Sequence, residues 1–431
     1  MGRRMMDSEI EWIGDIPSEW KIVRNKNCFS CDKVIVGEKS SKTQLLSLTK
    51  KGIIEKNPED STGKVPESFD TYQVVKNNDV VMCLFDLDCS AVFSGISHYD
   101  GMISPAYKVL KCNQLTDPEY VDYWFAYVFD GRKFMHYSKN LRYTLNYDEF
   151  AVLPILCPPI DEQKKIAFFL NNKCKEIDNI ITKTQASIEE YKKLKQSIIT
   201  QAVTKGVRGD REMEDSGIEW IGQIPEDWSL SKVRYIGTTQ NGISKGSAYF
   251  GSGFPFVSYG DIYRNYELPD KVNGLVDTSE DERENYSVKR GDIFFTRTSE
   301  TIEEVGFSCV CKEDIENATF AGFVIRLRPR KVDDVILTDY AKYYFRGEHI
   351  RRYLVKEMNL VTRASLGQTL LKNMIVLLPT KNEQIEIANY LDEKCLEVDK
   401  IIKNKEAIIK ELETYKKSLI YEYVTGKKEV V

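Results

Sequence analysis

Long apolar runs are missing from this 431-residue chain. No stretch approaches the ~20 residues that a bilayer span needs, and the start, Met1-Gly-Arg-Arg-Met-Met, continues into Asp-Ser-Glu. Neither a membrane span nor a secretory signal is therefore expected, and the chain is placed in the cytoplasm. A strong charge excess is missing too: the net charge of −5 gives no overall basic footprint. No phosphate-cradling G-x-x-x-x-G-K-[S/T] is present, because Gly63-Lys64 is followed by valine and lacks the upstream glycine. The nearest approach to an adenine-methylase [N/D]-P-P-[Y/F] string is Asp117-Pro-Glu-Tyr120, and Gly251-Ser-Gly253 runs into Phe-Pro rather than a dinucleotide loop. Histidines number only three, and the pairs Cys28-x-x-Cys31 and Cys309-x-Cys311 do not recur at the spacing of the repeat described next. No metal site is expected. Carboxylates are plentiful but form no repeated, matched pair, so catalysis has no support at the level of motifs.

What is present is a duplication. A helical pattern over Asp161 to Thr204 returns over Asn382 to Thr425 at a constant shift of 221, carrying Glu162-Gln163 onto Glu383-Gln384, Ile166-Ala167 onto Ile387-Ala388 and Val203-Thr204 onto Val424-Thr425. Apolar residues follow 4-3 spacing in both: Leu170, Cys174, Ile177, Ile181, Ile188, Tyr191, Ile198 and Ala202, then Leu391, Cys395, Val398, Ile402, Ile409, Leu412, Leu419 and Tyr423. That is a coiled-coil seam. Polar interruptions recur as well, Thr184 opposite Lys405 and Lys195 opposite Lys416, positions that set register and partner. Asp161 and Asn382 are expected as N-caps after Pro158-Pro159 and Pro379. At 1.5 Å per residue each helix would run about 60 Å.

The beginnings repeat too. Ile10-Glu-Trp-Ile-Gly-Asp-Ile-Pro-Ser-Glu-Trp20 returns as Ile218-Glu-Trp-Ile-Gly-Gln-Ile-Pro-Glu-Asp-Trp228, at a shift of 208. Between these landmarks the halves diverge in length and wording but keep their order. Gln44 to Leu48, Tyr72 to Val75, Asp79 to Phe85 and Tyr107 to Leu110 read as strands and Val121 to Met135 as a helix. In the second half Phe256 to Ser258, Asp292 to Thr296, Phe307 to Cys311 and Phe323 to Leu327 read as strands and Asp339 to Leu354 as a helix. Lys76-Asn-Asn-Asp stands opposite Lys289-Arg-Gly-Asp. The expected class is α/β (α+β): two similar domains, 1–157 and 208–378, with long helices at 158–207 and 379–431. Two unlike reading domains on two like helices suit a ligand with two unlike half-sites, and DNA is such a ligand. Local basic groups, Arg326, Arg328, Arg330 and Lys331, Arg346, Arg351 and Arg352, and Lys50-Lys51 near Lys39 and Lys42, are solvated faces unless something else assigns them.

The pairing of I-E-W-I-G-x-I-P-x-x-W at the start of each half with P-x-x-x-E-Q-x-x-I-A opening each long helix resembles the specificity subunit of Type I restriction-modification systems. Leu46-Ser-Leu-Thr-Lys-Lys-Gly52, Val81-Met-Cys-Leu-Phe-Asp86, Gly101-Met-Ile-Ser-Pro-Ala-Tyr107 and Gly291-Asp-Ile-Phe-Phe-Thr-Arg297 are similar to segments of that family's target-recognition domains. The resemblance runs from Ile10 to about Lys427. It implies a non-catalytic subunit with two target-recognition domains, each reading half of a bipartite, asymmetric double-stranded DNA site, with the antiparallel helix pair setting the spacer. It also implies two methyltransferase subunits as partners, which methylate adenine at N6, and motor-nuclease subunits that complete the restriction enzyme. No cofactor is expected on this chain; S-adenosylmethionine, ATP and Mg belong to the partners. In the first domain the expected DNA contacts are Thr49, Lys50, Lys51, Asp86, Asn140, Arg142 and Tyr143. In the second they are Ser244, Lys245, Tyr259, Asp261, Arg264, Arg297, Thr298, Thr362 and Arg363. Partner docking is expected at Trp12, Ile13, Trp220 and Ile221 and at Glu162, Gln163, Glu383 and Gln384. Two alternatives stand beside this reading: a nuclease with unrecognised carboxylates, and a coiled-coil adaptor that joins proteins only.

Overall fold

The computed structural model describes residues 3–57, 67–138, 143–299, 304–358 and 364–430. The chain divides into two units, Met1–Thr184 with Glu406–Val431, and Gln185–Lys405, so each long helix contributes one half to each unit. One local signal builds the centre of both. In Lys76-Asn-Asn-Asp and Lys289-Arg-Gly-Asp the aspartate N–H donates to the lysine carbonyl three residues back (3.0 and 3.1 Å), and its carboxylate accepts from that lysine's N–H (2.8 Å in each). The third position, Asn78 or Gly291, is left-handed at φ 70 and 86, where asparagine and glycine are tolerated best. Each turn launches a fully buried strand, Val80–Met82 or Ile293–Thr296.

That strand lies inside a four-stranded antiparallel sheet of the same order in each unit. In the first the order is Phe29–Ser30, Lys108–Cys112, Val80–Met82, Ser94–Ile96; in the second it is Gly237–Asn241, Val324–Pro329, Ile293–Thr296, Ser308–Val310. Around the sheet the units differ. The first has a hairpin, Leu46–Thr49 with Gly52–Glu55, whereas the second has a three-stranded sheet of Gly274–Val276, Phe250–Val257 and Thr319–Phe320. Fold is repeated while the surroundings of the sheet are not.

The Asp117-Pro-Glu-Tyr120 string opens a helix, Pro118–Asp130: the Asp117 side chain accepts from Tyr120 N–H (3.1 Å) and proline takes the first turn. The single helix expected over 339–354 is instead two, Thr338–Tyr344 and Glu348–Glu357. Between them Arg346 turns inward, its guanidinium donating to the carbonyls of Ser308 (2.7 Å), Ile262 (2.9 Å) and Asn265 (2.7 Å), and Gly347 adopts extended geometry as the next cap. Sequence periodicity carries no sign of those carbonyls.

The second of these helices buries His349, whose ring nitrogens have no hydrogen-bond partner among the described residues. Burial pushes its pKa from 6.5 down to about 3. The folded chain therefore refuses a proton that the unfolded chain accepts below pH 6.5, so this group's stability is intact above 6.5 and is lost progressively as pH falls toward 3. The expected loss is about 1.4 kcal/mol per pH unit in that window. Amide exchange in Glu348–Glu357 of parent and His349→Leu, compared at pH 7 and 5, checks it: the variant gains relative protection at pH 5, and a pH-independent difference refutes the assignment.

The long helices run Ile160–Lys205 and Lys381–Val424. Each begins one residue before its expected cap, so Asp161 and Asn382 sit in the first turn, and Thr380 takes the cap position of the second, its hydroxyl accepting from Glu383 N–H (3.4 Å). In the first unit Phe169 faces Tyr423 at 4.5 Å and Asp178 pairs with Lys416 at 2.7 Å. In the second Lys195 pairs with Asp399 at 2.7 Å and the Lys405 ammonium lies 5.5 Å from the Tyr191 ring. Both pairings are antiparallel. Two of the polar interruptions of the seam, Lys195 and Lys416, thus form the same lysine–aspartate bridge, one in each unit.

Candidate nucleic-acid interface

At the end of each sheet two segments far apart in sequence meet, and one backbone bond between them is the same in both units. Leu145 N–H donates to Leu84 O (2.8 Å) in the first unit and Leu366 N–H donates to Arg297 O (2.7 Å) in the second. The segments so joined are residues 84–90 and 143–145 in the first unit and 297–299 and 364–366 in the second. Of the expected DNA contacts, Asp86 and Tyr143 meet here in the first unit and Arg297 and Thr298 lie here in the second. Asn140, Arg142, Thr362 and Arg363 lie outside the described residues.

In the first unit both loop residues are left-handed, Asp86 at φ 52 and Tyr143 at φ 45. Such backbone costs of order 1–3 kcal/mol per residue and persists only where the surroundings impose it. Here Asp86 N–H donates to Thr144 Oγ1 (3.3 Å), Leu87 N–H to Tyr143 O (3.3 Å), and Ser90 N–H to Asp86 O (2.7 Å). Tyr143 is exposed. Lys50 and Lys51 stand exposed at the tip of the hairpin, where Thr49 Oγ1 donates to Gly52 O (2.9 Å) and accepts from Lys51 N–H (3.1 Å). Thr49 is thus a turn former that presents the two lysines. Beneath the tip lies a cleft of about 880 Å³, lined also by His98, Asp122 and Asn171; burial raises the Asp122 carboxyl to about 6.

In the second unit the strand Thr298–Ser299 pairs with Ala364–Ser365. Arg297 N–H donates to Phe323 O (2.9 Å), and the described residues give its guanidinium no carboxylate or carbonyl partner. Phe323, 65% exposed, is a further candidate; in the sequence it reads as the start of a strand, and only its exposure identifies it. Tyr259 and Arg264 lie on the helix Tyr259–Arg264, with Tyr259 stacked on Tyr263 at 6.0 Å and Arg264 exposed, its Nε donating to Gly260 O (3.2 Å). Asp261 is engaged in that helix's capping box, accepting from Ser258 N–H (2.9 Å) and Ser258 Oγ (2.7 Å). Ser244 is exposed, whereas Lys245 is held by Glu282 at 2.7 Å. The charge run downstream points elsewhere. Arg326 is buried, donating to Ser287 O (2.5 Å) and to Gln240, and Arg328 is paired with the buried Asp292 at 2.6 Å.

The residues expected to dock partners are mostly spent inside their own unit. Gln163 is buried, accepting from Asp117 N–H (2.8 Å) and donating to the carbonyls of Leu115 (2.9 Å) and Pro158 (2.8 Å). Gln384 repeats this with Leu337 N–H (2.8 Å), Val335 O (3.1 Å) and Pro379 O (3.0 Å). Glu162 accepts from Trp20 Nε1 (3.0 Å) and pairs with Arg3 (2.7 Å); Glu383 is buried and pairs with Arg211. Ile13 and Ile221 are buried, Trp12 packs on Trp124 at 5.9 Å, and Trp220 packs on Tyr353 at 5.5 Å.

Among the described residues no helix is long and apolar enough to cross a membrane. The family described as the Type I restriction modification DNA specificity domain matches residues 225–414. The MjaVIII specificity subunit of Methanocaldococcus jannaschii is 24% identical over 365 residues, 82% of this chain and 80% of that protein. The EcoKI specificity subunit of Escherichia coli K12 is also 24% identical, over 59% of this chain and about half (53%) of its own length. Among solved structures, a chain from a study of complex assembly and conformational transition of the type I R-M system aligns with a TM-score of 0.71 at 14% identity, covering 95% of this chain and 98% of that one. The HsdS subunit from Thermoanaerobacter tengcongensis aligns with a TM-score of 0.50 at 15% identity, covering 96% and 98%. With its twice-built sheet, paired helices and repeated landmarks, this chain is similar over most of its length to the specificity subunits of Type I restriction-modification systems, whose DNA specificity domain matches its residues 225–414.

Proposed function

We propose that each unit reads one half of a bipartite, asymmetric DNA site and that the chain thereby directs N6-adenine methylation, or restriction, by partner subunits in the cytoplasm. The observation that carries this reading is the loop pair at the end of each sheet: the scaffold is the same down to one hydrogen bond, and the side chains it presents are unrelated. Recognition domains 1–157 and 208–378 are accordingly assigned to different half-sites. Arg297, Thr298, Tyr259 and Arg264 form one reading surface, and Asp86, Tyr143, Lys50 and Lys51 the other, with lysine positioning the backbone and arginine suited to a base edge. Two methyltransferase subunits dock over the surfaces held by the Trp-Ile-Gly segments and the Glu-Gln pairs, and motor-nuclease subunits complete the enzyme. S-adenosylmethionine, ATP and Mg act on those partners. An acidic chain fits this role when the partners share phosphate neutralisation.

Base-resolution methylation mapping tests the proposal in cells that express this chain with its methyltransferase, against cells lacking this chain. The expected result is N6-methyladenine at a split, asymmetric motif that vanishes without the chain. An active methyltransferase complex with no such motif would overturn it and favour the adaptor.

A further inference from the structure

We infer that Arg132 and Glu304 are positioning residues, each fixing the reading loop of its own unit and so the half-site that unit accepts. The inference rests on the bipartite reading above. In the first unit Arg132 lies outside the loop, is itself left-handed at φ 49, and rests its guanidinium 4.2 Å from the Phe129 ring. From there Nη1 donates to Leu87 O (2.6 Å) and Nη2 to Ser90 O (3.0 Å). These carbonyls bracket the turn in which Cys89 N–H (3.1 Å) and Ser90 N–H (2.7 Å) return to Asp86 O. A planar cation that spans both ends of this turn holds Asp86 in its disfavoured conformation.

The second unit solves the same problem with the opposite chemistry. The Glu304 carboxylate accepts from Tyr263 OH on one oxygen (2.9 Å) and from Ser299 Oγ on the other (2.9 Å), and its carbonyl accepts from Thr296 Oγ1 (3.4 Å). One residue therefore ties the segment carrying Arg297 and Thr298 to the helix carrying Tyr259 and Arg264. Since one device is a donor fork on carbonyls and the other an acceptor pair on hydroxyls, losing either affects a single unit.

The bipartite site supplies its own control. In the complete methyltransferase complex, Arg132→Ala is expected to raise methylation about tenfold at sites altered by one base in the first unit's half, a shift of about 1.4 kcal/mol in discrimination, with the other half read as strictly as before. Glu304→Ala is expected to do the reverse. Glu304→Gln, which keeps hydrogen-bonding groups for both hydroxyls, restores near-parental discrimination, and Arg132→Lys, which reaches one carbonyl, gives a smaller broadening on the same half. If Arg132→Ala fails to assemble, Arg132→Lys carries the test in the first unit; if Glu304→Ala fails, Tyr263→Phe, which removes one of the two hydroxyls that Glu304 holds, is expected to broaden the second unit's half alone. Uniform loss of methylation with the motif unchanged in all four variants, or broadening of both halves together, overturns the inference. The parent complex separates the levels: without a bipartite motif there, the underlying reading fails first.

Discussion

Alanine at Arg297 is expected to weaken binding to the target by about 5- to 150-fold, or about 1–3 kcal/mol, and to relax one position of one half-site. The reason lies in what surrounds the side chain. Its backbone is fixed from both directions, N–H to Phe323 O and carbonyl to Leu366 N–H, while the described residues leave the guanidinium without an acceptor. A donor fork on a pinned backbone matches the two acceptors on the major-groove edge of guanine. Lys50 supplies the contrast. Exposed at a hairpin tip, it is a point charge with no fixed orientation, so Lys50→Ala should weaken target and scrambled DNA alike and lower the slope of log affinity against log salt by about one. Competition binding of the assembled complex, with target, scrambled and single-base variant duplexes at two salt concentrations, measures both. Equal losses on target and scramble for Arg297→Ala would remove Arg297 from base reading.

Glu383→Ala is expected to be the most damaging single change to stability, at about 3–5 kcal/mol in the second unit. Glu383 is fully buried and faces Arg211, whose guanidinium also reaches Asp227 and lies 5.8 Å from the Trp228 ring. Deleting the carboxylate leaves Arg211, whose side chain is 14% exposed, with only the half-exposed Asp227 as counter-charge, beside a cavity. Glu162, its counterpart at the 221 shift, keeps some solvent contact, so Glu162→Ala should cost less in the first unit. Hydrogen exchange resolved to the two units reads this directly. A loss below about 1 kcal/mol in the second unit would reduce the bridge to a surface ion pair and refute the argument.

Sequence reading and structure agree where the determinants are local. The 4-3 apolar spacing needs only neighbours three, four and seven residues apart, and it located both long helices to within one residue. The Lys-x-x-Asp segments, set opposite each other on four residues apiece, form the same turn in both units. Helix breaks and charge assignments went differently. Arg346, grouped by sequence with surface charges, ends a helix by turning onto carbonyls up to 84 residues away, and Arg326 and Arg328, grouped the same way, satisfy the groups around Ser287 and Asp292. The Glu-Gln pairs were legible as a repeated landmark, yet identity alone carries no direction. Gln163 and Gln384 point inward because each closes a loop whose N–H and carbonyls would otherwise be buried without partners.

By itself, then, the sequence determined that the chain is a duplication, where its two coiled-coil helices run and which segments vary between the halves, because repetition and periodicity are properties of order along the chain. The tertiary structure alone decided which charges face outward, which segments more than fifty positions apart meet at the end of each sheet, and which side chains outside those segments bond to them. Those outcomes depend on through-space partners that no spacing rule encodes.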